Sequence, residues 1–176
     1  YDILEENNSE INLVRYTTSE INALFKEVKY DLQEVRHTKL VKPIDIGLLP
    51  NEIKNISNTK KRKELFIKIV LPLIVKENNK IRIDRKRLFV ILNKNSNTEI
   101  EKQWLIKKYK QYGVRQNDLS TLKVRMDEIP VSLAMAQAAK ETGWGTSRFA
   151  LKGNALFGQW TWSGEGLKPK NAEEGK

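Results

Sequence analysis

The chain has 176 residues, of which 39% are hydrophobic and 31% charged, with a net charge of +10. That length suffices for one domain with a core of its own and an appended arm, and the composition is ordinary for a globular chain. The sequence has no cysteine, which excludes disulfide scaffolds and thiolate metal sites, and no run of about 18 apolar residues, which excludes a simple helical membrane span.

Charge is unevenly spread. Residues 1–36 hold four basic and eight acidic groups, whereas residues 60–88 hold eleven basic and three acidic. A basic face attracts polyanions: acidic wall polymer, an anionic membrane surface or nucleic acid. The chain begins at Tyr1 rather than Met, as expected of a processed or partial chain, from which a removed export signal leaves no trace.

In chain order, residues 1–18 are polar and weakly patterned and predict a flexible arm. From Ser19 the apolar positions Ile21, Leu24, Phe25, Val28, Leu32 and Val35 recur at helical spacing. Val41 to Pro50, with two prolines and a glycine, predicts an extended connector. Lys60 to Lys76 predicts an amphipathic helix carrying Phe66, Ile69, Val70 and Leu73, kinked or broken at Pro72. Ile81 to Asn93 predicts a separate helix. Ser96 and Glu99 have capping-box spacing and open a fourth, striped by Ile100, Trp104, Leu105, Tyr109 and Tyr112 and ended by Gly113. Asp118 or Ser120 suits the cap of a short helix. No stretch alternates with the period of a strand, and the tail from Ser163 to Lys176 is turn-rich. Residues 19–95 thus form a helical extension, and 96–176 a second unit.

The most informative stretch is Ile129 to Trp162, IPVSLAMAQAAKETGWGTSRFALKGNALFGQWTW. Pro130 suits the first helical position, and the AQAA run consists of strong helix formers. Gly143 and Gly145 stop the helix. Glu141 is the last acid before that stop, where the negative end of the helix dipole disfavours it. Trp144, Phe149, Phe157, Trp160 and Trp162 follow closely, so an aromatic-lined cleft beside the acid is expected. Gln137 lies one turn before Glu141 on the same face. Asn154, Gln159 and the glycines add neutral polar groups. A carboxylic acid against an apolar wall can protonate a leaving oxygen, and flat aromatic faces with neutral polar groups suit a sugar chain. On the residues alone, a merely solvated Glu141 on a packed helix is an equal reading. His37 is the lone histidine, a poor metal ligand by itself. No Ser–His–Asp set and no glycine-rich phosphate loop occur.

The segment AQAAKETGWGTSRFALKGNALFGQW resembles the signature of the bacterial glucosaminidase domain, glycoside hydrolase family 73, which also occurs in the flagellar rod-assembly muramidase and in cell-wall autolysins. The match is closer to the Bax-like bacterial proteins, whose upstream region is similar to ALFKEVKYDL, GLLPNEI, KRKELFIKIVLPLIVKENNKI and IRIDRKRL here. The resemblance spans roughly residues 22–172. Glu141-Thr142-Gly143-Trp144-Gly145, Ser147 and Leu156-Phe157-Gly158 fall in register; Ala155 departs from it, since the family commonly has a second asparagine there. The resemblance implies a mainly α, lysozyme-like helical domain behind the N-terminal extension, with a small β lobe incomplete at the C-terminus. Residues 96–176 would be the N-terminal part of that domain. It also implies hydrolysis of β-1,4 bonds in peptidoglycan next to N-acetylglucosamine, with Glu141 as the general acid. The family's second catalytic group comes from the β lobe; Glu165, Glu173 and Glu174 lie in that region, and none maps onto it.

The expected substrate-binding residues are Gln137, Trp144, Asn154, Phe157, Gln159 and Trp160. No metal or cofactor is implied. The expected partner is the peptidoglycan glycan strand, with residues 60–88 holding the protein to an anionic wall or membrane surface and no specific nucleic acid. The expected location is the cell envelope. The competing expectation is a wall-binding module of the same fold without catalysis.

Overall fold

A computed structural model describes residues 14–157. Helix α1 (Thr18–Glu27) begins in a reciprocal capping box. Thr17 Oγ1 accepts from the Glu20 amide at 3.2 Å, and the Glu20 carboxylate accepts from the Thr17 amide at 2.7 Å. The stretch expected to run on as one helix breaks at 28–31. Lys29 turns left-handed at φ 51°, the Tyr30 amide bonds back to Phe25, and Tyr30 is buried. Asp31 then caps a separate α2 (Leu32–Thr38) by accepting from the amides of Gln33 and Glu34. A capping aspartate competes with helix continuation, and here the cap wins.

The connector from Val41 to Pro50 is irregular, as its prolines predict, and runs into a 3-10 turn, Asn51–Asn55, that buries Ile53. Beyond it the structure departs from the expected pair of helices over 60–93. They are one helix, α3 (Thr59–Leu92), 34 residues long with Pro72 inside it. Pro72 is buried, so its ring contributes packing against the loss of one helical hydrogen bond. The polar residues from 77 to 85 look like a break, but three of them, Asn78, Arg82 and Arg85, make tertiary contacts. Asn78 Nδ2 donates to the Ile129 carbonyl at 2.7 Å, and its Oδ1 accepts from the Ile129 amide at 3.0 Å. Arg82 grips Glu128 with two nitrogens, and Arg85 donates to the carbonyls of Lys123 and Met126.

Helix α4 (Glu99–Gln111) also begins in a capping box, formed by Thr98 and Glu101 rather than by Ser96 and Glu99. Ile100, expected in its apolar stripe, is 75% exposed. Gly113 ends the helix turn at φ 59°. Asp118 caps α5 (Leu119–Arg125). Pro130 stands one place earlier than expected, as the N-cap of α6 (Val131–Thr142), and Ser147 caps α7 (Arg148–Gly153).

These elements build two cores joined by α3. The larger gathers Ile21, Phe25, Leu49, Ile53, Phe66, Ile69 and Val70 around Ala134, Ala138, Ala139 and Leu151. The smaller gathers Leu88, Tyr109, Val114, Leu122 and Met126. Helix α6 lies against α3; its alanines present so little bulk that the two backbones can approach closely. Arg15, near the end of the segment expected to be a loose arm, donates to the carbonyls of Leu49 and Leu151 and so is itself docked on this core. The fold is mainly α, with no strand among the described residues, and it is consistent with a lysozyme-like helical domain. The expected β lobe lies outside the described residues.

Candidate active site

Helix α6 has two faces. Ala134, Ala138, Ala139 and Thr142 are buried toward α3. Leu133, Gln137 and Glu141, spaced by four residues, form an exposed stripe on the other side. Gln137 and Glu141 therefore share one open face, as their spacing predicts. The Glu141 side chain makes no hydrogen bond and no ion pair with the described residues.

The turn after Glu141 is heavily constrained. Thr142 is fully buried; its hydroxyl donates to the Ala138 carbonyl at 2.7 Å and accepts from the Gly145 amide at 2.9 Å. Gly143, Trp144 and Gly145 are all left-handed, at φ 56°, 60° and 79°. Gly145 is required twice over. Its φ is costly for other residues, and a Cβ there would sit 2.9 Å from Phe66 Cδ2 and 3.0 Å from Leu49 Cδ1. The Trp144 amide bonds to the Ala139 carbonyl and the Ser147 amide to the Thr142 carbonyl, which carries the chain into α7.

Trp144 is half-buried. Its ring meets Phe66 edge-on, with centroids 5.8 Å apart, and Lys63 Nζ stands 4.7 Å over it. It is thus packed on α3, inside the larger core's margin. Asn154 caps α7 in the left-handed region at φ 48° and donates from Nδ2 to the Gly47 carbonyl at 3.0 Å. Asn154 and Phe157 border a cavity of about 230 Å³ together with Gly47, Leu73, Ala155 and Leu156. The structure thus groups the predicted residues as Gln137 with Glu141, and Asn154 with Phe157, with Trp144 docked on α3. Gln159 and Trp160 lie outside the described residues. A larger cavity, about 370 Å³, is bordered by Asn22, Lys26, Tyr30 and Glu34 among others and by no residue of the 137–157 segment.

Sequence reasoning missed Thr142 and Asn78 as the parts that hold α6. A threonine four residues after an alanine and just before a glycine was the available signal for the first. Nothing local marks the second, whose partner is 51 residues away.

Eight of the eleven cations in 60–88 have partners within the chain, among them Lys76 with Asp45, Arg82 with Glu128 and Arg87 over Trp104. Lys60, Lys61 and Lys86 are the three without one among the described residues.

Residues 118–174 match the family model described as Glucosaminidase, mannosyl-glycoprotein endo-beta-N-acetylglucosaminidase. Protein bax of Escherichia coli (strain K12) is 35% identical over 116 residues, which cover 62% of this chain and 42% of that protein. The chain therefore spans less than half the length of this relative. No solved structure matches it. The chain thus carries a glucosaminidase match over α5 to α7 and beyond and is similar to protein bax over 116 residues, and its helical fold is consistent with both.

Proposed function

We propose that the protein hydrolyses β-1,4 glycosidic bonds of peptidoglycan next to N-acetylglucosamine, with Glu141 as the general acid. One observation carries this reading. Within the glucosaminidase match, the fold exposes Glu141 at a helix C-terminus, the end where a carboxylate is disfavoured, and gives it no partner among the described residues. A group kept there against the helix dipole, and used by none of its described neighbours, is available for chemistry. Gln137, one turn earlier on the same face, can hydrogen-bond the sugar or the acid. The proposed site of action is the cell envelope, where Lys60, Lys61 and Lys86, exposed and without a partner among the described residues, would be the cations of the basic segment available to an anionic wall or membrane.

The test is dye release from labelled peptidoglycan. Glu141→Gln keeps the shape of the side chain but cannot donate the proton. It should reduce hydrolysis by about 100- to 10,000-fold while leaving sedimentation with peptidoglycan intact. Equal rates for the two proteins would remove Glu141 from the mechanism. Absence of hydrolysis by both, with binding retained, would favour a non-catalytic wall-binding module.

A further inference from the structure

The larger cavity, about 370 Å³, lies in the N-terminal extension and touches no residue of the glucosaminidase match. Its volume falls in the range of about 300–1,000 Å³ usual for small-molecule sites. Phe25 and Tyr30, both buried, form its aromatic part, with their rings edge-to-face at 5.4 Å. Tyr30 is 2% exposed, yet its hydroxyl has no hydrogen-bond partner among the described residues. Burial pushes its pKa up to about 12, so it stays a protonated donor at neutral pH. A buried donor without a partner is costly, and the cavity that Tyr30 borders is the open space from which one can come.

Three cations, Lys26, Lys29 and Lys68, and two acids, Asp31 and Glu34, border the same cavity. The side chains of Lys26, Lys29 and Glu34 have no partner among the described residues. Asp31 caps α2 through Oδ1, and its Oδ2 has no partner there either. Lys68 makes a long ion pair with Glu64 at 4.0 Å and stands 5.4 Å over the Phe25 ring. The helix dipoles account for Lys26 at the end of α1 and for Asp31 and Glu34 at the start of α2. They do not account for Lys68 in mid-helix, for the Tyr30 hydroxyl, or for Lys29 at φ 51°, where glycine is the usual residue. Opposite charges that line one cavity without closing on each other leave room for a ligand bearing both signs. Three cations against two acids leave one positive charge over, which matches a ligand with one more carboxylate than ammonium.

We propose that this cavity binds a small amino dicarboxylate, of amino-acid to dipeptide size, between α1, α2 and α3. Tyr30 Oη donates to one carboxylate, the three lysines neutralise the pair, Asp31 and Glu34 take the ammonium, and Phe25 packs against the methylenes. The site stands apart from the proposed hydrolysis, since none of its residues belongs to 118–174. It makes the extension a ligand-binding element in its own right.

The experiment is a calorimetric titration of the full chain with L-glutamate and D-glutamate. The controls are glutarate, which lacks the ammonium, glutamine, which lacks the second carboxylate, and inorganic phosphate. One enantiomer of glutamate should bind at least about ten-fold more tightly than any control, the range expected of one charge-assisted hydrogen bond, and should raise the melting temperature. Tyr30→Phe should weaken glutamate binding about ten-fold. It should leave the ligand-free melting temperature unchanged or higher, because it deletes a hydroxyl that bonds to no described residue. The double variant Lys26→Gln, Lys29→Gln, at two exposed positions, should weaken binding at least as much and tests the site should Tyr30→Phe not fold. Glutarate or phosphate binding as tightly as glutamate would leave only attraction of anions to exposed lysines, and glutamine binding as tightly would leave the second carboxylate unread. Either result overturns the proposal. Failure of both enantiomers to bind, or unchanged affinity in the folded variants, overturns it as well.

Discussion

Gly145 and Thr142 fix the turn that ends the glutamate-bearing helix, and each permits a sharp prediction. Gly145→Ala meets both a left-handed backbone at φ 79° and Phe66 at 2.9 Å. Overpacking alone should cost about 1–3 kcal/mol, visible as a lower urea midpoint with an unchanged slope. Thr142→Val keeps the volume but leaves the Gly145 amide unsatisfied in a buried setting, at a cost of about 1–3 kcal/mol. Both should lower the proposed hydrolysis only as far as they unfold the chain or displace Glu141. Arg15→Ala should cost about 1.5–3 kcal/mol, because a charged group donating to two carbonyls, Leu49 and Leu151, is lost. A change below about 0.5 kcal/mol, the usual effect of a surface substitution, would show that Arg15 is not docked in solution.

Among the elements, α3 decides the architecture, and its middle is where local reasoning failed. Asn78, Arg82 and Arg85 look like a polar gap between two helices. Their partners, Ile129, Glu128, Lys123 and Met126, are 38 to 51 residues away in sequence, so no local pattern could announce them. Features with local causes were legible: the Gly143 stop, the Gln137–Glu141 face, the Asp118 cap and a connector over 41–50 that is neither helix nor strand. The caps at Asp31 and Thr98 were local too, but a longer apolar stripe overshadowed the first and a neighbouring box of the same spacing the second. Asn78→Leu should destabilise the chain by about 1–3 kcal/mol, since it removes both bonds to Ile129. Hydrogen exchange should accelerate first at the N-terminal turn of α6.

The helix caps also set the response to acid. The Glu20 carboxyl is held below its ordinary value by the Thr17 amide, Glu101 by Lys94 and then by the Thr98 amide, Asp118 by the Thr121 amide, and Glu128 by Arg82. A depressed folded value means stability that is present above the unfolded value and lost as pH falls through the folded one. The urea midpoint should therefore hold from neutral pH down to about 4.5, the ordinary glutamate value, and decline below it. The doubly substituted Glu20→Gln, Glu101→Gln chain should show a shallower decline over that acid range. An identical slope would mean that these caps are not formed in solution.

At the scale of the whole molecule, both cores share α3, and the family match at 118–174 contains none of it. The division into an extension over 19–95 and a glucosaminidase unit over 96–176 is thus a proposal about ancestry more than about independent stability. A fragment of residues 96–176 leaves Ala134, Ala138 and Ala139 without the partner that buries them. It should show little helical circular dichroism and no cooperative melt, while the 176-residue chain melts cooperatively. A folded, cooperative fragment would show that α3 is dispensable to α6.

The long sequence separation between α3 and α6 carries a consequence for biosynthesis. When Leu92 has left the ribosome, Phe66, Ile69 and Val70 are already synthesised, but the alanine face that covers them is still to come. At about 5–20 residues per second, the intervening chain takes several seconds to appear. During that interval the nascent protein displays an uncovered apolar helix face, a surface that holding chaperones recognise and that neighbouring nascent chains can join. Ribosome-bound chains stalled near residue 110 should consequently recruit more chaperone than chains stalled after residue 157, and weakening Asn78 should prolong the exposure even once α6 has emerged.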